Sequence, residues 1–279
     1  MTLLASDAIW RKRFEKIDSS VEDLRLPGTE SETSDVDQDG EWCEVRVDGT
    51  WKRVRFHDYD EVFEVPGLYE MLFYENLECC SPSCVVNLLR EVAEDFGDDL
   101  SDFTVLDVGA GNGMVGDELA ASGVDQVIGV DLIEEAKEAT HRDRPGVYDE
   151  YLVTDLTDLP ETHEETVRQQ KPNCLTTVAA LGFGDIPPAA FLKAVDLISD
   201  QGWLAFNIKE SFLHEDDDTG FCRLIRQLSR ERYIQTQCLR RYQHRLSIAG
   251  EPLHYVAMIA KKLRPLDDEI LSQWQEADG

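Results

Sequence analysis

A glycine-rich turn near the middle of the chain limits its fold more than any other feature. An apolar run at residues 103–108 leads directly into the Gly-Ala-Gly-Asn-Gly sequence at 109–113, and a helix-forming stretch follows. Glycine lets a backbone turn sharply and approach a ligand closely, and the order strand, turn, helix is typical of nucleotide-binding crossovers. The turn therefore predicts a parallel α/β fold with a ligand at the carboxyl end of this strand.

The chain beyond residue 100 alternates between short apolar runs and helix-forming stretches. Five such runs predict strands, at residues 103–108, 127–131, 151–153, 174–180 and 203–208. Strands that alternate with helices are typical of a parallel sheet with helical crossovers. Two later runs, at 234–241 and 253–261, are separated by a short turn at 249–252 and predict an antiparallel hairpin that ends the sheet.

The first hundred residues follow a different pattern, which predicts a hairpin and helices. Alternating runs at 42–47 and 51–56 flank an Asp-Gly pair at 48–49, which is a strong hairpin signal. A Ser-Pro pair at 81–82 opens a stretch whose apolar residues recur at helical spacing. A further helix is expected at 5–17.

These patterns divide the chain into three parts. The first is an N-terminal cap of helices and a hairpin, and it contains a polar surface loop. The second is a ligand-binding core, and the third is a polar tail with a short helix around Trp274. Their expected bounds are 1–100 for the cap, with the loop at 28–40, then 101–263 for the core and 264–279 for the tail.

Acidic residues outnumber basic residues by about two to one. The chain has 57 Asp and Glu against 27 Lys and Arg, a formal net charge of −30. This excess favours a halophilic protein or an acidic cytoplasmic one, and it disfavours nucleic acid and anionic membranes as partners, because both require cations against phosphate. The seven cysteines are expected to be free thiols, since no secretory signal or membrane-spanning run is evident. We therefore expect a cytoplasmic protein.

The glycine-rich turn fits two kinds of cofactor. Gly111, Gly113 and Gly116 have the spacing of the dinucleotide fingerprint, and Asp131 follows about 20 residues later, where that fingerprint places its ribose-binding acid. Asp107, two residues before the first glycine, favours the other kind, because a carboxylate facing the crevice repels a pyrophosphate. The same carboxylate attracts the sulfonium and ammonium groups of S-adenosylmethionine, which carries no phosphate.

Three segments resemble the cofactor-binding motifs of class I S-adenosylmethionine-dependent methyltransferases. Residues 107–113 resemble the first motif, 127–132 the second strand and 151–156 the third. The resemblance extends from about residue 100 to 263 and implies a Rossmann-like α/β fold, with seven mostly parallel strands and a terminal antiparallel hairpin.

The resemblance also implies S-adenosylmethionine as the cofactor. It implies that Asp131 binds the ribose hydroxyls and that Asp155 receives the adenine amino group. The full set of cofactor-binding residues expected in this way is Asp107, Gly109, Ala110, Gly111, Asp131, Leu132, Asp155 and Leu156.

The residues that meet the methyl acceptor are less well marked, because in-line methyl transfer needs positioning and requires a base only when the nucleophile arrives protonated. Residues 180–188 depart from the Asp/Asn-Pro-Pro-aromatic motif of amino-group methyltransferases. Asp185 precedes two prolines and is a candidate catalytic residue, although a helix N-cap is the favoured interpretation. His254 in the terminal hairpin is a second candidate, but a histidine in a strand is more often held by packing.

Two further clusters have both a functional and a structural interpretation. Tyr69, Phe73 and Tyr74 form either a lid over the methyl group or an aromatic stripe that packs this segment on the sheet, and we favour the stripe. The three cysteines within 79–84 lack a nearby histidine or second cysteine pair, so no metal site is expected.

We therefore predict an S-adenosylmethionine-dependent methyltransferase that acts on a small molecule. Two alternatives stay open: an NAD(P)-dependent oxidoreductase, and a protein that binds S-adenosylmethionine without catalysis. The second alternative is compatible with the sequence because methyl transfer has no obligatory catalytic residue that a chain could lack.

Overall fold

The computed structural model describes residues 14–28, 38–181, 185–213 and 219–277. The strands in these ranges are β1 (Asp23–Arg25), β2 (Trp42–Val47), β3 (Thr50–Arg55), β4 (Thr104–Val108), β5 (Gln126–Asp131), β6 (Glu150–Val153), β7 (Cys174–Thr177), β8 (Trp203–Lys209), β9 (Ile234–Leu246) and β10 (Pro252–Lys262). The α-helices are α1 (Tyr59–Glu64), α2 (Ser81–Asp95), α3 (Met114–Ala121), α4 (Glu134–Asp143), α5 (Glu161–Gln170), α6 (Pro188–Leu197), α7 (Phe221–Arg230) and α8 (Asp268–Ala277), and a π-helix spans Glu70–Asn76. The helix predicted at 5–17 and the loop predicted at 28–40 lie largely outside the described residues.

Seven of these strands form one sheet in the order β6-β5-β4-β7-β8-β10-β9. Neighbouring strands from β6 to β8 run parallel, whereas β10 pairs antiparallel with both β8 and β9. The predicted fold class, a Rossmann-like sheet with a terminal antiparallel hairpin, is confirmed. The chain order runs outward from β4 to both sides, so β4 and β7 flank the switch point at which ligands of such sheets bind.

Helices cover both faces of this sheet, which explains why its inner strands are apolar almost throughout. Val105 of β4 joins the apolar cluster beneath α2 and α3, while the next residue, Leu106, joins the cluster beneath α6, α7 and α8. Both side chains are fully buried. None of the described helices combines the length and the apolar content that a bilayer crossing requires.

A second sheet, of order β1-β2-β3, lies in the N-terminal part of the chain. We call this sheet, α1, the π-helix and the segments that connect them the cap unit. Asp48 and Gly49 join β2 to β3 with φ angles of 48° and 73°, the left-handed conformation that a two-residue hairpin turn requires. The predicted hairpin is therefore confirmed. β1 was not expected, because three residues carry no readable alternation.

Buried ion pairs join the cap unit to the core. Glu70 of the π-helix lies 2.8 Å from Arg144 and accepts a hydrogen bond from Asn112 Nδ2 at 2.7 Å. Glu41, just before β2, pairs with Arg245 of β9, and both side chains are almost completely buried. The residues of α2 lie within the predicted cap, 1–100, but the helix packs against β8 and β10 of the large sheet. The boundary at residue 100 stays a prediction.

Glu41→Gln is expected to lower the free energy of unfolding by about 3 kcal/mol, because it leaves the Arg245 guanidinium buried without a countercharge. Glu91→Gln is the matched control. Glu91 lies 2.8 Å from Arg240, but both side chains are about half exposed, and exposed pairs contribute about 0–1 kcal/mol. Urea denaturation followed by tryptophan fluorescence measures both variants. Equal losses in the two would contradict a joining role for the buried pair.

Candidate cofactor and acceptor site

A cavity of about 670 Å³ lies at the carboxyl ends of β4 to β7, at the switch point of the large sheet. Its volume falls within the range of pockets that hold small ligands. The core supplies the floor, and the cap unit supplies the opposite wall through His57, Tyr59, Phe63 and Tyr69. Phe63 approaches the glycine-rich turn so closely that a Cβ on Gly111 would lie 3.3 Å from its ring. The cavity therefore lies between the cap unit and the turn.

The glycine-rich turn adopts a backbone that other residues rarely take. Gly109, Gly111 and Gly113 have φ angles of 74°, 54° and 88°. A Cβ on Gly109 would also lie 2.6 Å from the Cβ of Ala180, so only glycine allows the turn to pack against the loop after β7. The Gly109 N–H donates to the Val130 carbonyl at 2.9 Å, which ties the turn to β5.

Asp131 ends β5, and its carboxylate lines the cavity. Oδ2 accepts a hydrogen bond from the Gly111 N–H at 2.8 Å, and Oδ1 accepts from the N–H groups of Leu132 at 2.8 Å and Ile133 at 3.3 Å. Burial raises the pKa of this carboxyl, and the backbone donors oppose the shift. A carboxylate has about four acceptor positions, so the group retains capacity for ligand hydroxyls. Its role as the ribose ligand stays a prediction.

Asp155, Leu156 and Leu132 line the cavity near the carboxyl ends of β5 and β6. Asp155 accepts hydrogen bonds from the Thr157 N–H and hydroxyl, both at 2.7 Å and both on Oδ1. Leu132 is 60% exposed, and an exposed leucine beside a ligand cavity offers an apolar surface to a flat base. These positions suit the adenine group that the resemblance implies, and the assignments stay predictions.

The structure corrects the expectation that the Asp107 carboxylate faces the crevice. Asp107 is fully buried and does not line the cavity. Its Oδ1 accepts a hydrogen bond from the Thr176 hydroxyl at 2.6 Å, and its Oδ2 accepts from the Tyr148 hydroxyl at 2.7 Å. The Tyr148 hydroxyl also reaches the carbonyl of Ala110, which is likewise absent from the lining. Asp107 thus supports the turn from beneath. For Asp107 and Ala110, only an indirect role in cofactor binding is compatible with the structure, because neither residue lines the cavity.

Carboxylates dominate the charge of the cavity. Among the described lining residues there is neither lysine nor arginine, and the acidic side chains are Asp60, Asp131, Glu135, Asp155 and Asp185. Such a lining repels a pyrophosphate and attracts a ligand that carries a sulfonium and an ammonium group. The sequence suggested that the charge of one carboxylate, Asp107, selects the cofactor. The same argument holds for the cavity as a whole, but it rests on these other carboxylates.

Asp185 lines the cavity, and its interpretation as a helix N-cap is wrong. The N-cap position of α6 is Pro187, and no side chain caps this helix. The Asp185 carboxylate lies instead 3.4 Å from Nδ1 of His57, in the turn after β3. No local signal in the sequence marks His57, because only the fold brings that turn to the loop after β7.

The other candidate base, His254, does not line the cavity. It lies on β10 opposite Gln243 of β9. In the sheet order, β7 and β8 separate β10 from the glycine-rich turn of β4, and this separation keeps the side chain away from the switch point.

The aromatic residues for which a lid and a packing stripe were both considered divide between the cavity wall and the core of the cap unit. Tyr69 lines the cavity, whereas Phe73 is buried in the apolar core of the cap unit and Tyr74 packs against that core. The rings of Tyr69 and Phe73 lie 4.8 Å apart. The favoured packing role therefore describes Phe73 and Tyr74, and Tyr69 extends the same stack to the cavity wall.

A buried polar network beneath the loop after β7 was not anticipated. Asn207 Oδ1 accepts a hydrogen bond from the Ala179 N–H at 2.6 Å, and Asn207 Nδ2 donates to the Ser81 hydroxyl, which lies 2.6 Å from His244 Nδ1. Burial holds the pKa of His244 well below its usual range. Ala179 has a φ of 58°, which explains why the strand predicted at 174–180 ends early. The network fixes the backbone at Ala179, where the chain leaves β7.

The part of the chain that the structure describes contains no group of three or more His, Cys, Asp or Glu side chains arranged to hold a metal ion. The cysteines at 79, 80 and 84 are free thiols. The Sγ atoms of Cys80 and Cys84 lie 3.3 Å apart, one helical turn from each other at the start of α2.

Comparison with known families places this site in a class. Residues 80–248 match the family described as a methyltransferase domain, and the match covers more than half of the chain. The chain belongs to this family. It is an S-adenosylmethionine-dependent methyltransferase. A comparison with curated proteins found no match by sequence.

Solved structures show distant likenesses. Magnesium protoporphyrin IX methyltransferase from Synechocystis PCC 6803 with bound SAM is 16% identical over 65% of this chain and 79% of that chain, with a TM-score of 0.44. Ribosomal protein L11 methylase from Lactobacillus delbrueckii subsp. bulgaricus is 16% identical over 66% and 79%, with a TM-score of 0.43. A SAM-dependent methyltransferase from Methanosarcina mazei is 16% identical over 58% and 93%, with a TM-score of 0.43. Likenesses this weak carry no information about the methyl acceptor.

Asp131→Asn is expected to weaken the binding of S-adenosylhomocysteine about 10- to 100-fold, because a charged acceptor for two hydroxyls is lost. Asp155→Asn is expected to weaken it about 10-fold. Asp158→Asn is the control and should bind like the wild type, because Asp158 ends the short 3-10 helix Leu156–Asp158 that follows Asp155 but is exposed and does not line the cavity. Isothermal titration calorimetry measures the affinities, with NADH as the non-binding ligand. Unchanged affinity in both cavity variants would refute the assignments.

Asp107→Asn is expected to flatten the pH dependence of stability. Burial raises the pKa of Asp107 from 3.8 to about 6, so the stability that the neutral carboxyl contributes is complete below the lower value and is lost as the pH rises through the higher one. The full loss is about 3 kcal/mol, of which about half falls between pH 5 and 7.5. Urea titrations of both proteins across that range measure the difference, and parallel curves would contradict the shift.

Proposed function

We propose that the protein methylates a small molecule that binds between the cap unit and the large sheet. The observation that carries this proposal is the wall that His57, Tyr59 and Phe63 place over the cavity. The methyl donor and the acceptor have to share about 670 Å³, and a pocket of that size suits small molecules. The cap unit covers the cavity and is joined to the core by buried ion pairs. It therefore stands between the cavity and any folded macromolecule that would offer a methyl acceptor.

In this proposal the donor lies along the carboxyl ends of β4, β5 and β6. Asp131 binds the ribose hydroxyls and Asp155 the adenine amino group, with Leu132 and Leu156 beside the adenine ring. The backbone of Gly109 and Gly111, which lines the cavity, lies beside the methionine part of the donor. Asp107 and Ala110 act indirectly, through the hydrogen bonds of Tyr148 that hold the turn.

The acidic lining has two consequences for this reaction. S-adenosylmethionine supplies an electrophilic methyl group on a sulfonium, and the five carboxylates of the described lining favour that positive charge. They also disfavour an acceptor with negative charge, such as a phosphate ester or a nucleic acid. We therefore propose a neutral or cationic small-molecule acceptor, and the chain contributes by orienting the two partners and keeping water out.

Purified protein incubated with tritium-labelled S-adenosylmethionine is expected to label small molecules. The acceptors offered separately are a cell filtrate of small molecules, total RNA and total protein. Label in the filtrate, lost with Asp131→Asn and retained with Asp158→Asn, supports the proposal. Label in RNA or protein alone refutes the small-molecule acceptor, and binding of the donor without label in any fraction refutes it as well.

A further inference from the structure

A histidine and a carboxylate from distant parts of the chain meet in the cavity. Nδ1 of His57 lies 3.4 Å from Oδ2 of Asp185, and the two side chains are 12% and 26% exposed. Both residues line the cavity. Histidine paired with a carboxylate is a common arrangement for a general base, because the carboxylate orients the ring and stabilises its protonated form.

The residues next to this pair are held by packing. Phe56 is buried in the core of the cap unit, and its N–H donates to the Glu41 carbonyl at 2.9 Å. On the other side, Ile186 packs against the main apolar core and forms a β-bridge with Leu181. Rigid neighbours reduce the cost of holding a catalytic geometry. Phe56 and Ile186 thus hold the backbone beside each member of the pair.

The topology places the pair at the acceptor end of the cavity. Asp131 and Asp155, the proposed nucleoside ligands, follow β5 and β6 on one side of β4, whereas the loop after β7 lies on the other side. Gly109 contacts this loop, since a Cβ there would lie 3.1 Å from Ile186 Cδ1 and still closer to Ala180. A nucleoside on β5 and β6 therefore points its remaining groups across the glycine-rich turn toward Asp185.

We infer that His57 is the catalytic base of the methyl transfer, that Asp185 orients it, and that the acceptor is a neutral molecule with a reactive hydroxyl. This inference rests on the proposed function. Asp185 receives the Nδ1–H of the imidazole, which leaves the lone pair on Nε2. In the structure Nδ1 and Oδ2 lie 3.4 Å apart without forming a hydrogen bond. In this inference the bond forms when the acceptor binds, since catalytic hydrogen bonds are often incomplete before the substrate is in place.

The proton balance of the step requires an acceptor that loses a proton as it is methylated, and the acceptor group that we infer is a hydroxyl. The acceptor oxygen forms a bond to the methyl carbon while the bond from that carbon to sulfur breaks, with its electron pair staying on sulfur. The hydroxyl proton passes to Nε2 of His57, and the resulting imidazolium faces Asp185. An amine that arrives uncharged brings a free lone pair and needs no base for attack. An acceptor that arrives as an anion is repelled by the acidic lining. The acceptor therefore enters with its proton, and the proton leaves within the site.

The identity of the methylated atom is the first test. Reaction of the small-molecule filtrate with S-adenosylmethionine carrying a carbon-13 methyl group is expected to give a product whose methyl carbon resonates in the O-methyl region. A methyl carbon bound to nitrogen, sulfur or carbon would overturn the inference and leave the proposed function intact. Absence of any labelled product would refute the proposed function and with it this inference.

Variants of the pair are the second test. His57→Ala is expected to lower kcat about 10²- to 10⁴-fold, and Asp185→Asn about 10-fold or more, while both keep the wild-type affinity for S-adenosylhomocysteine. His141→Ala, an exposed histidine on α4 outside the described cavity lining, is the matched control and should turn over normally.

Added imidazole separates catalysis from structure in these variants. It is expected to restore part of the turnover of His57→Ala, because a free base can occupy the space of the missing ring, and it should leave His141→Ala unchanged. Retained kcat in His57→Ala overturns the inference. A kcat loss without imidazole rescue, accompanied by weaker S-adenosylhomocysteine binding, also overturns it, since that result indicates a structural role for His57.

Discussion

The contact between the cap unit and the glycine-rich turn is the constraint on which the site depends. Glu70 reaches from the π-helix into the core, where it pairs with Arg144 and accepts a hydrogen bond from Asn112 inside the turn. A buried charge is tolerated only with its partner in place, so this contact has one stable arrangement. The same contact sets Phe63 over Gly111, and it thereby fixes the wall that carries His57 and Tyr59.

The electrostatics of the cavity follow from that enclosure. Acidic residues of the core strands and of the cap unit face a shared space that is partly withdrawn from water, and charges interact more strongly there than on an open surface. This concentration of carboxylates agrees with the methyltransferase family and with a cationic methyl donor. Asp107 contributes little to it, because its two oxygens already accept hydroxyl hydrogen bonds within the core. It supports the turn through the Tyr148 hydroxyl, which also donates to the Ala110 carbonyl.

The fold was largely readable from local patterns, and so were the positions of several candidate ligands. Strand and helix alternation, the glycine-rich turn and the Asp-Gly hairpin each follow from short-range backbone preferences. Asp131 and Asp155 line the cavity as expected, because residues at the carboxyl ends of parallel strands meet at one edge of the sheet. Asp185 has two possible interpretations from sequence, a helix N-cap and a catalytic residue. The two prolines that follow it favour the N-cap locally, but the N-cap position in the structure is Pro187.

The sequence by itself determined the parallel sheet with its terminal hairpin and the turn at the switch point, because periodicity and glycine spacing act within a few residues of the chain. Tertiary structure alone decided that Asp107 is turned away from the cavity and that His57 meets Asp185 there. The orientation of Asp107 depends on Tyr148 and Thr176, and the meeting of His57 with Asp185 depends on how the cap unit sits on the core. Contacts between residues so far apart in the chain are set by packing and charge burial, which leave no mark on neighbouring residues.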